Sequence, residues 1–426
     1  MFVASLLSAA FLSHYFHGVQ VAKALTASGI YNSSQTPHDL PWNTYNYCNA
    51  PHVNRDRYLV YATIMMRHHK RTPDNLYPTE NALNPPVGWD CTNIVQENHA
   101  AGSGKVTHET VIPSWHPFLS RIWNGTCDAG QLTAEGLADS VKHGQDIWSV
   151  YSSQLGLLES VNDIYIRTSN SDRTYQVTGG LLYGMDPSTA QSSVPFVVHT
   201  QPSNIDSLVP SYSCPKADAL RNAYQSVPAW TDHINANQDL QNRLDSILGT
   251  TGLGPWSSWY DHFFDTFTSR TCHGHPLPCN ATGTCVSEAD ADRVHEIGNF
   301  EYNYIWNNAT GAKEYVKLTF GAMFLELAQN LLSFESGMER HRMRIYVGHD
   351  GSMIRLASGL GIKGPLKWPS MGSEISMEVW ETEARQKFVR VFHEGTVAQG
   401  FEWIPFQTFV SLLQSNVHSN LTVQCA

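Results

Sequence analysis

Charge is scarce in this chain. Only 15% of the 426 residues are Asp, Glu, Lys or Arg, and 42% are hydrophobic. That balance excludes an intrinsically disordered protein, which needs the opposite proportions. The 27 lysines and arginines form no extended run, and the formal net charge is −11 with histidine neutral. A nucleic-acid-binding surface needs a basic stripe, and none is present. Beyond residue 12 no apolar run reaches membrane-spanning length. Internal repeats and low-complexity tracts are also missing. What the chain does have is aromatic bulk, with 12 Trp, 18 Tyr and 17 Phe, enough for a large packed core. Its length suits one large domain with a smaller one inserted or appended. The 20 histidines outnumber the negative excess, so protonating them would turn the chain net positive. Such a chain is compatible with work in mild acid.

Residues 2–12 are a short apolar run, and Ala22-Lys23-Ala24 offers a small-x-small cleavage site. Residues 1–24 therefore read as a secretory signal peptide, with an uncleaved anchor as the rival because no basic residue precedes the run. Eight cysteines, at positions 48, 91, 127, 214, 272, 279, 285 and 425, permit four disulfides of undetermined connectivity. A zinc site at Cys272-His273-Gly274-His275 with Cys279 and Cys285 is the weaker alternative in an oxidising compartment. Asn32, Asn124, Asn280, Asn308 and Asn420 open Asn-x-Ser/Thr sequons, which mark N-glycans in an exported chain. The expected location is secreted, outside the cell, with no membrane attachment after signal removal.

Residues 26–51 read as a polar extended arm, and 74–130 as a loop-rich excursion. Strand patterns fall at 58–66, 163–167, 194–199, 343–347, 375–380 and 387–392. Helical periodicity marks 133–155 and 172–183. It dominates from 202 to 338, clearest at 287–306 and 314–334, where Val316, Leu318, Phe320, Met323, Leu327 and Leu331 form an apolar face. The division expected is an α/β core of 25–201 and 339–426 enclosing a helical insert, 202–338.

The string Arg67-His68-His69-Lys70-Arg71-Thr72-Pro73 carries the chemistry. It follows the apolar run 58–66, so its charges stand where a buried strand ends, the edge at which open α/β sheets bind ligands. Two guanidiniums beside one imidazole repel each other. They suit a dianion such as phosphate, which arginine grips with paired donors. Two later strings share the strand-exit pattern: Ile164-Tyr165-Ile166-Arg167-Thr168-Ser169-Asn170-Ser171-Asp172-Arg173 and Arg344-Ile345-Tyr346-Val347-Gly348-His349-Asp350. Weaker signals are Gly130-Gln131-Leu132-Thr133-Ala134-Glu135-Gly136 and Trp368-Pro369-Ser370.

In this order the strings resemble the Arg-His-x-x-Arg-x-Pro signature, the strand-then-arginine segment and the His-Asp pair of the histidine acid phosphatases, the acid phosphatase and phytase branch of the histidine phosphatase superfamily. The resemblance spans roughly residues 50–400. It implies an α/β fold, a mixed central sheet with helices on both faces, and a mainly helical inserted domain that roofs the pocket. It implies that His68 forms a phosphohistidine, that Arg67, Arg71, Arg173 and His349 hold the phosphate, and that Asp350 is the general acid. Neither metal nor cofactor is implied, because arginines neutralise the phosphate. The positive field should keep His68 neutral and nucleophilic. Asp350 should be protonated in mild acid or through burial beside the phosphate, and could also cap a helix starting at Gly351. Arg167, the competitor of Arg173, is expected to brace the loop. One departure stands out: His69 occupies the position where the family usually has glycine. His69 and Lys70 either line the substrate side of the pocket or belong to a solvated loop.

The expected activity is that of a secreted acid phosphatase acting on phosphate monoesters. A phytase is a narrower version, although only Lys105 and Arg121 add positive charge within 74–130. A sugar-phosphate phosphatase is another, and a non-catalytic phosphate-ester-binding pseudoenzyme is the rival class.

Overall fold

The computed structural model describes residues 59–78, 88–92, 126–157, 161–190, 196–382 and 384–426, with isolated segments at 30–31, 52–53, 95–98, 105–108, 115 and 117. The expected signal segment, Cys48, Asn32 and Asn124 lie outside the described residues.

The centre of the fold is an eight-stranded mixed sheet among these residues. Its strands are β1 (Tyr61–Arg67), β2 (Ile164–Thr168), β3 (His199–Thr200), β4 (Met343–Gly348), β5 (Glu374–Glu381), β6 (Lys387–His393), β7 (Thr396–Val397) and β8 (Ile404–Pro405). The spatial order is β7-β6-β5-β1-β4-β2-β3, with β8 also on β6. β1, β4, β2 and β3 run parallel, while β5 pairs antiparallel with both of its neighbours, β1 and β6. β1 is buried throughout because the sheet is covered on both faces. Tyr61 and Met65 face one apolar cluster, and Ala62, Ile64 and Met66 face the other, as the period-two pleat requires.

The second cluster is completed by α1 (Ala134–Tyr151) and α2 (Asp172–Met185). They approach so closely that a Cβ on Gly144 would lie 2.2 Å from the Leu181 carbonyl oxygen. The first cluster takes in α3 (Asp261–Cys272), α4 (Glu288–Asn303), α5 (Ala312–Glu335) and α6 (Asp350–Leu360). The apolar face expected on α5 is buried, Val316, Phe320, Met323, Leu327 and Leu331 in this cluster and Leu318 beside Cys214 and Cys425. No described residue between 202 and 338 belongs to the sheet. The mixed sheet flanked by helices is the fold class expected.

Three local features differ from expectation. Of the strand expected at 194–199, the described residues contribute His199, which with Thr200 forms the short edge strand β3. Phe196 and Val198 pack against the core without joining a ladder. Within the loop-rich excursion, Val95–Asn98 and Lys105–His108 pair as an antiparallel ribbon. α4 ends in a five-residue π turn, Tyr304–Asn308. Disulfides join Cys91 to Cys127, Cys214 to Cys425 and Cys279 to Cys285, and Cys272 is also disulfide-bonded. These bridges take up the thiolates that the zinc alternative required. Asn308 and Asn420 are exposed and Asn280 is half-buried.

Candidate active site

Parallel pairing assembles the site. Register sets Arg67 of β1 beside Gly348 of β4, and Thr168 of β2 beside Val347, so three strand ends deliver their next residues to one place. His68 continues the ladder by donating its N–H to the Gly348 carbonyl at 3.0 Å. α2 and α6 both begin at these strand ends, so the positive poles of two helices border the site. The sequence-expected residues Arg67, His68, Arg71, Arg173, His349 and Asp350 are thus brought together.

His68 is buried, and its Nδ1 lies 2.9 Å from the His69 carbonyl oxygen. A carbonyl only accepts, so Nδ1 carries the proton and Nε2 keeps its lone pair. Burial, then the charges of Arg173, Arg67 and Arg71, hold the imidazole well below its ordinary pKa. The ring meets that of His349 edge-on at 5.3 Å.

Each arginine is braced by an acceptor. Arg67 Nη2 sits 3.2 Å from Asp350 Oδ2, and its Nη1 donates to the Pro369 carbonyl. Arg71 Nη2 contacts Asp74 at 2.7 Å and Asp265 at 2.9 Å. Arg173 Nη1 reaches Asp74 at 3.4 Å and the Gly130 carbonyl at 3.3 Å. The Nε–H groups of Arg67, Arg71 and Arg173 are buried without a hydrogen-bond partner among the described residues. Unpaired buried donors are costly, and three arginines whose charges all act on His68 fit an oxyanion with several acceptor oxygens.

His349 Nδ1 accepts from Arg173 Nη2 at 3.3 Å, and its Nε2 lies 2.8 Å from Ser169 Oγ. Both nitrogens are engaged, and burial holds its pKa down at about 3. To donate to a phosphate oxygen, the ring must turn or gain a second proton. Ser169 in turn meets Thr174 Oγ1 at 3.1 Å.

Asp350 departs from expectation. Burial alone would raise its pKa, but Arg67, the Trp368 indole N–H at 2.8 Å and Arg71 outweigh burial and hold it at about 2. The resting carboxyl is ionised. Nor is it the cap: His349 is the N-cap and Asp350 is the first residue of α6. Asp350 stands between two cavities. One, of about 420 Å³, is lined by Arg173, His349, Arg355, Ser171, Ser203 and Ser211. The other, of about 180 Å³, is lined by Arg71, Asp74, Asp265, Trp259 and Trp368.

His69 and Lys70 neither line the pocket nor form a solvated loop. His69 is fully buried against His143, and buried Lys70 pairs with Glu135 and Asp139 of α1. The reason is the clamp that the weak Gly130–Gly136 signal encodes. Thr133 N–H donates to the Lys70 carbonyl and Thr72 N–H to the Gln131 carbonyl, which draws the signature loop onto the start of α1. Gly130 has φ +70, and a Cβ there would lie 2.3 Å from Asp74 Oδ1. Arg167, as expected, braces structure by binding buried Asp206, Ser207 and Glu326.

Sequence reasoning missed the acidic partners. Asp74 was within reach, three residues after Arg71, at helix-like i,i+3 spacing. Asp265 lies 191 residues further on in α3 and carried no local signal.

Known proteins resemble this chain to different extents. Counting factor 60 of Dictyostelium discoideum is 26% identical over 369 residues, covering 82% of this chain and 84% of that protein. Lysosomal acid phosphatase of Bos taurus is 25% identical over 242 residues, 55% of each chain. Among solved structures, the phytase from Citrobacter braakii superposes with a TM-score of 0.58 at 15% identity, over 87% of this chain and 100% of that one. That last likeness is one of fold. The model of the histidine phosphatase superfamily (branch 2) matches residues 59–394, from just before β1 to the turn after β6. The match takes in every strand that delivers a residue to the arginine-ringed imidazole, and the chain belongs to the histidine phosphatase superfamily, branch 2.

Proposed function

We propose that this protein is a metal-independent acid phosphomonoesterase of the secretory route that works through a phosphohistidine at His68. The observation that carries this reading is a buried His68 whose Nδ1 is committed to a carbonyl, leaving Nε2 its lone pair, within the positive field of Arg173, Arg67 and Arg71. Nε2 attacks phosphorus, the ester P–O bond breaks, and the leaving alkoxide takes a proton from Asp350. Water then attacks phosphorus and gives a proton back to Asp350, the P–Nε2 bond breaks with its electron pair returning to the imidazole, and phosphate leaves. Because Asp350 rests ionised, the first proton arrives with the substrate. A phosphate monoester has its second pKa near 6, so in mild acid it enters as the monoanion. Its proton passes to Asp350 once the phosphate has neutralised Arg67. This accounts for an acid preference without a raised resting pKa.

Export rests on the expected signal segment and on the disulfides; N-glycans at Asn32, Asn124, Asn280, Asn308 and Asn420 would follow from it. We read 25–201 with 339–426 as the core domain and 202–338 as the insert, which supplies Asp265 behind Arg71.

The larger cavity favours a polyol or sugar monophosphate over a highly phosphorylated inositol, since among the described residues its walls add one arginine, Arg355, to Arg173 and also carry Asp206 and Asp350. A panel of sugar phosphates, nucleotides, phytate and nitrophenyl phosphate, run with EDTA at acidic and neutral pH, tests both levels. No turnover of any ester would leave a binding pseudoenzyme. Turnover abolished by EDTA would refute metal independence, and activity retained by His68→Ala would refute the nucleophile.

A further inference from the structure

His69 stands where the family usually has glycine, and its side chain is not idle. Its Nε2 lies 3.1 Å from His143 Nδ1, and His143 Nε2 lies 3.2 Å from Glu374 Oε2. The rings of His69 and His143 meet edge-on at 5.2 Å. All three residues are buried. His143 comes from α1, and Glu374 opens β5, where it pairs with Met66 just ahead of the signature. The proton order follows from donor chemistry. The Glu374 carboxylate accepts from His143 Nε2–H, which leaves His143 Nδ1 bare to accept from His69 Nε2–H. Only a neutral His143 can do both, and burial holds its pKa down at about 3. The backbone carbonyl of this same His69 accepts from His68 Nδ1–H at 2.9 Å.

We infer that His69, held by His143 and Glu374, is a positioning residue for the nucleophile: the grip on its ring fixes the peptide whose carbonyl sets the tautomer and aim of His68. The inference rests on the phosphohistidine reading. A glycine could place that carbonyl by backbone fit alone. A histidine brings a polar ring that must be buried somewhere, and here it is tethered to two rigid elements of the core. Partners one step behind a reacting imidazole commonly act in this way by fixing its tautomer. The bland alternative is a polar network that only stabilises the fold. It predicts equal losses in anion binding and catalysis, or no catalytic loss at all.

The test uses the full chain, rapid-quench measurement of phosphoenzyme formation, and vanadate inhibition. His143→Leu should slow phosphorylation of His68 about 10–100-fold. Its vanadate inhibition constant should move far less, because the arginine cradle is untouched. His143→Gln, which keeps a donor and an acceptor, should fall between Leu and wild type and serves if the Leu variant fails to fold. Combining His69→Gly with His143→Leu should restore most of the rate, since a glycine needs no tether. Unchanged phosphorylation in the His143 variants, a parallel loss of vanadate affinity, or no rescue by glycine would each overturn the inference. The wild type separates this from the underlying reading. Absence of phosphate on His68 there refutes the phosphohistidine itself, whereas a labelled His68 unaffected by His143 refutes only the positioning role.

Discussion

Asp350→Asn should act in two opposite directions at once. In the structure the Asp350 carboxylate holds Arg67 at 3.2 Å, and in the proposed mechanism it also hands the proton brought by the substrate to the leaving oxygen. The amide cannot deliver that proton. For alkyl phosphates, whose alkoxides leave poorly, kcat should fall about 10²–10⁴-fold, the usual contribution of general acid catalysis. Nitrophenolate needs no proton, so its phosphate ester should lose far less. The same substitution removes a negative charge that competes with phosphate for Arg67. Two charges about 5 Å apart at an effective dielectric near 20 repel by about 3 kcal/mol, and an open cavity screens part of this. Inhibition by phosphate or vanadate should therefore tighten roughly 5- to 30-fold, or about 1–2 kcal/mol. The assay is steady-state kinetics on both ester types with phosphate as competitor. Equal losses on alkyl and nitrophenyl esters, or weaker anion binding, would refute the reasoning.

The remaining expectations concern the frame around the site. Arg173→Ala should cost about 10–100-fold in kcat/KM with little change in melting temperature, because one charge-assisted contact is worth about 1.5–3 kcal/mol. Arg167→Ala should instead destabilise by about 3–5 kcal/mol in urea titration, because it strands buried Asp206. His295 is buried with its pKa lowered from 6.5 to about 4. Its unfolded form therefore takes up a proton that the folded form refuses, and stability is lost as pH falls through this window. Wild type should lose about 2 kcal/mol more than His295→Gln between pH 8 and pH 5. The Cys214–Cys425 bridge closes a sequence separation of 211, so replacing both with alanine should lower stability by about 2–5 kcal/mol without changing KM.

Much of the frame was legible because it is written in short-range patterns. The apolar run before Arg67 is a central buried strand, and the α5 face from Val316 to Leu331 is core. The strand exits at Arg67, Ser169 and His349 converge because parallel register places neighbouring strand ends together. Less legible was anything set by balance among distant charges. Asp350 was expected to be protonated in mild acid or by burial beside the phosphate, and what the sequence did not show is that Arg67, Trp368 and Arg71 win over burial in its own surroundings. Arg71 looked like a free gripping group, yet Asp265 from α3 and Asp74 share its guanidinium. The apolar stretch 194–199 looked like a strand, but of its described residues His199 alone finds a partner at the sheet edge.

Local pattern alone decided which side chains stand at the strand exits, because backbone periodicity and turn chemistry act over a few residues. It could not decide the direction in which those side chains face or their protonation. His69 shows the difference most sharply: two residues after Arg67 it reads as part of a ligand loop, yet its ring turns inward to meet His143 and Glu374. Such a choice depends on partners 74 and 231 residues apart along the chain, joined only when α1 closes over the sheet. Electrostatic and hydrogen-bond energies fall off with distance in space, and that distance exists only once the chain has folded.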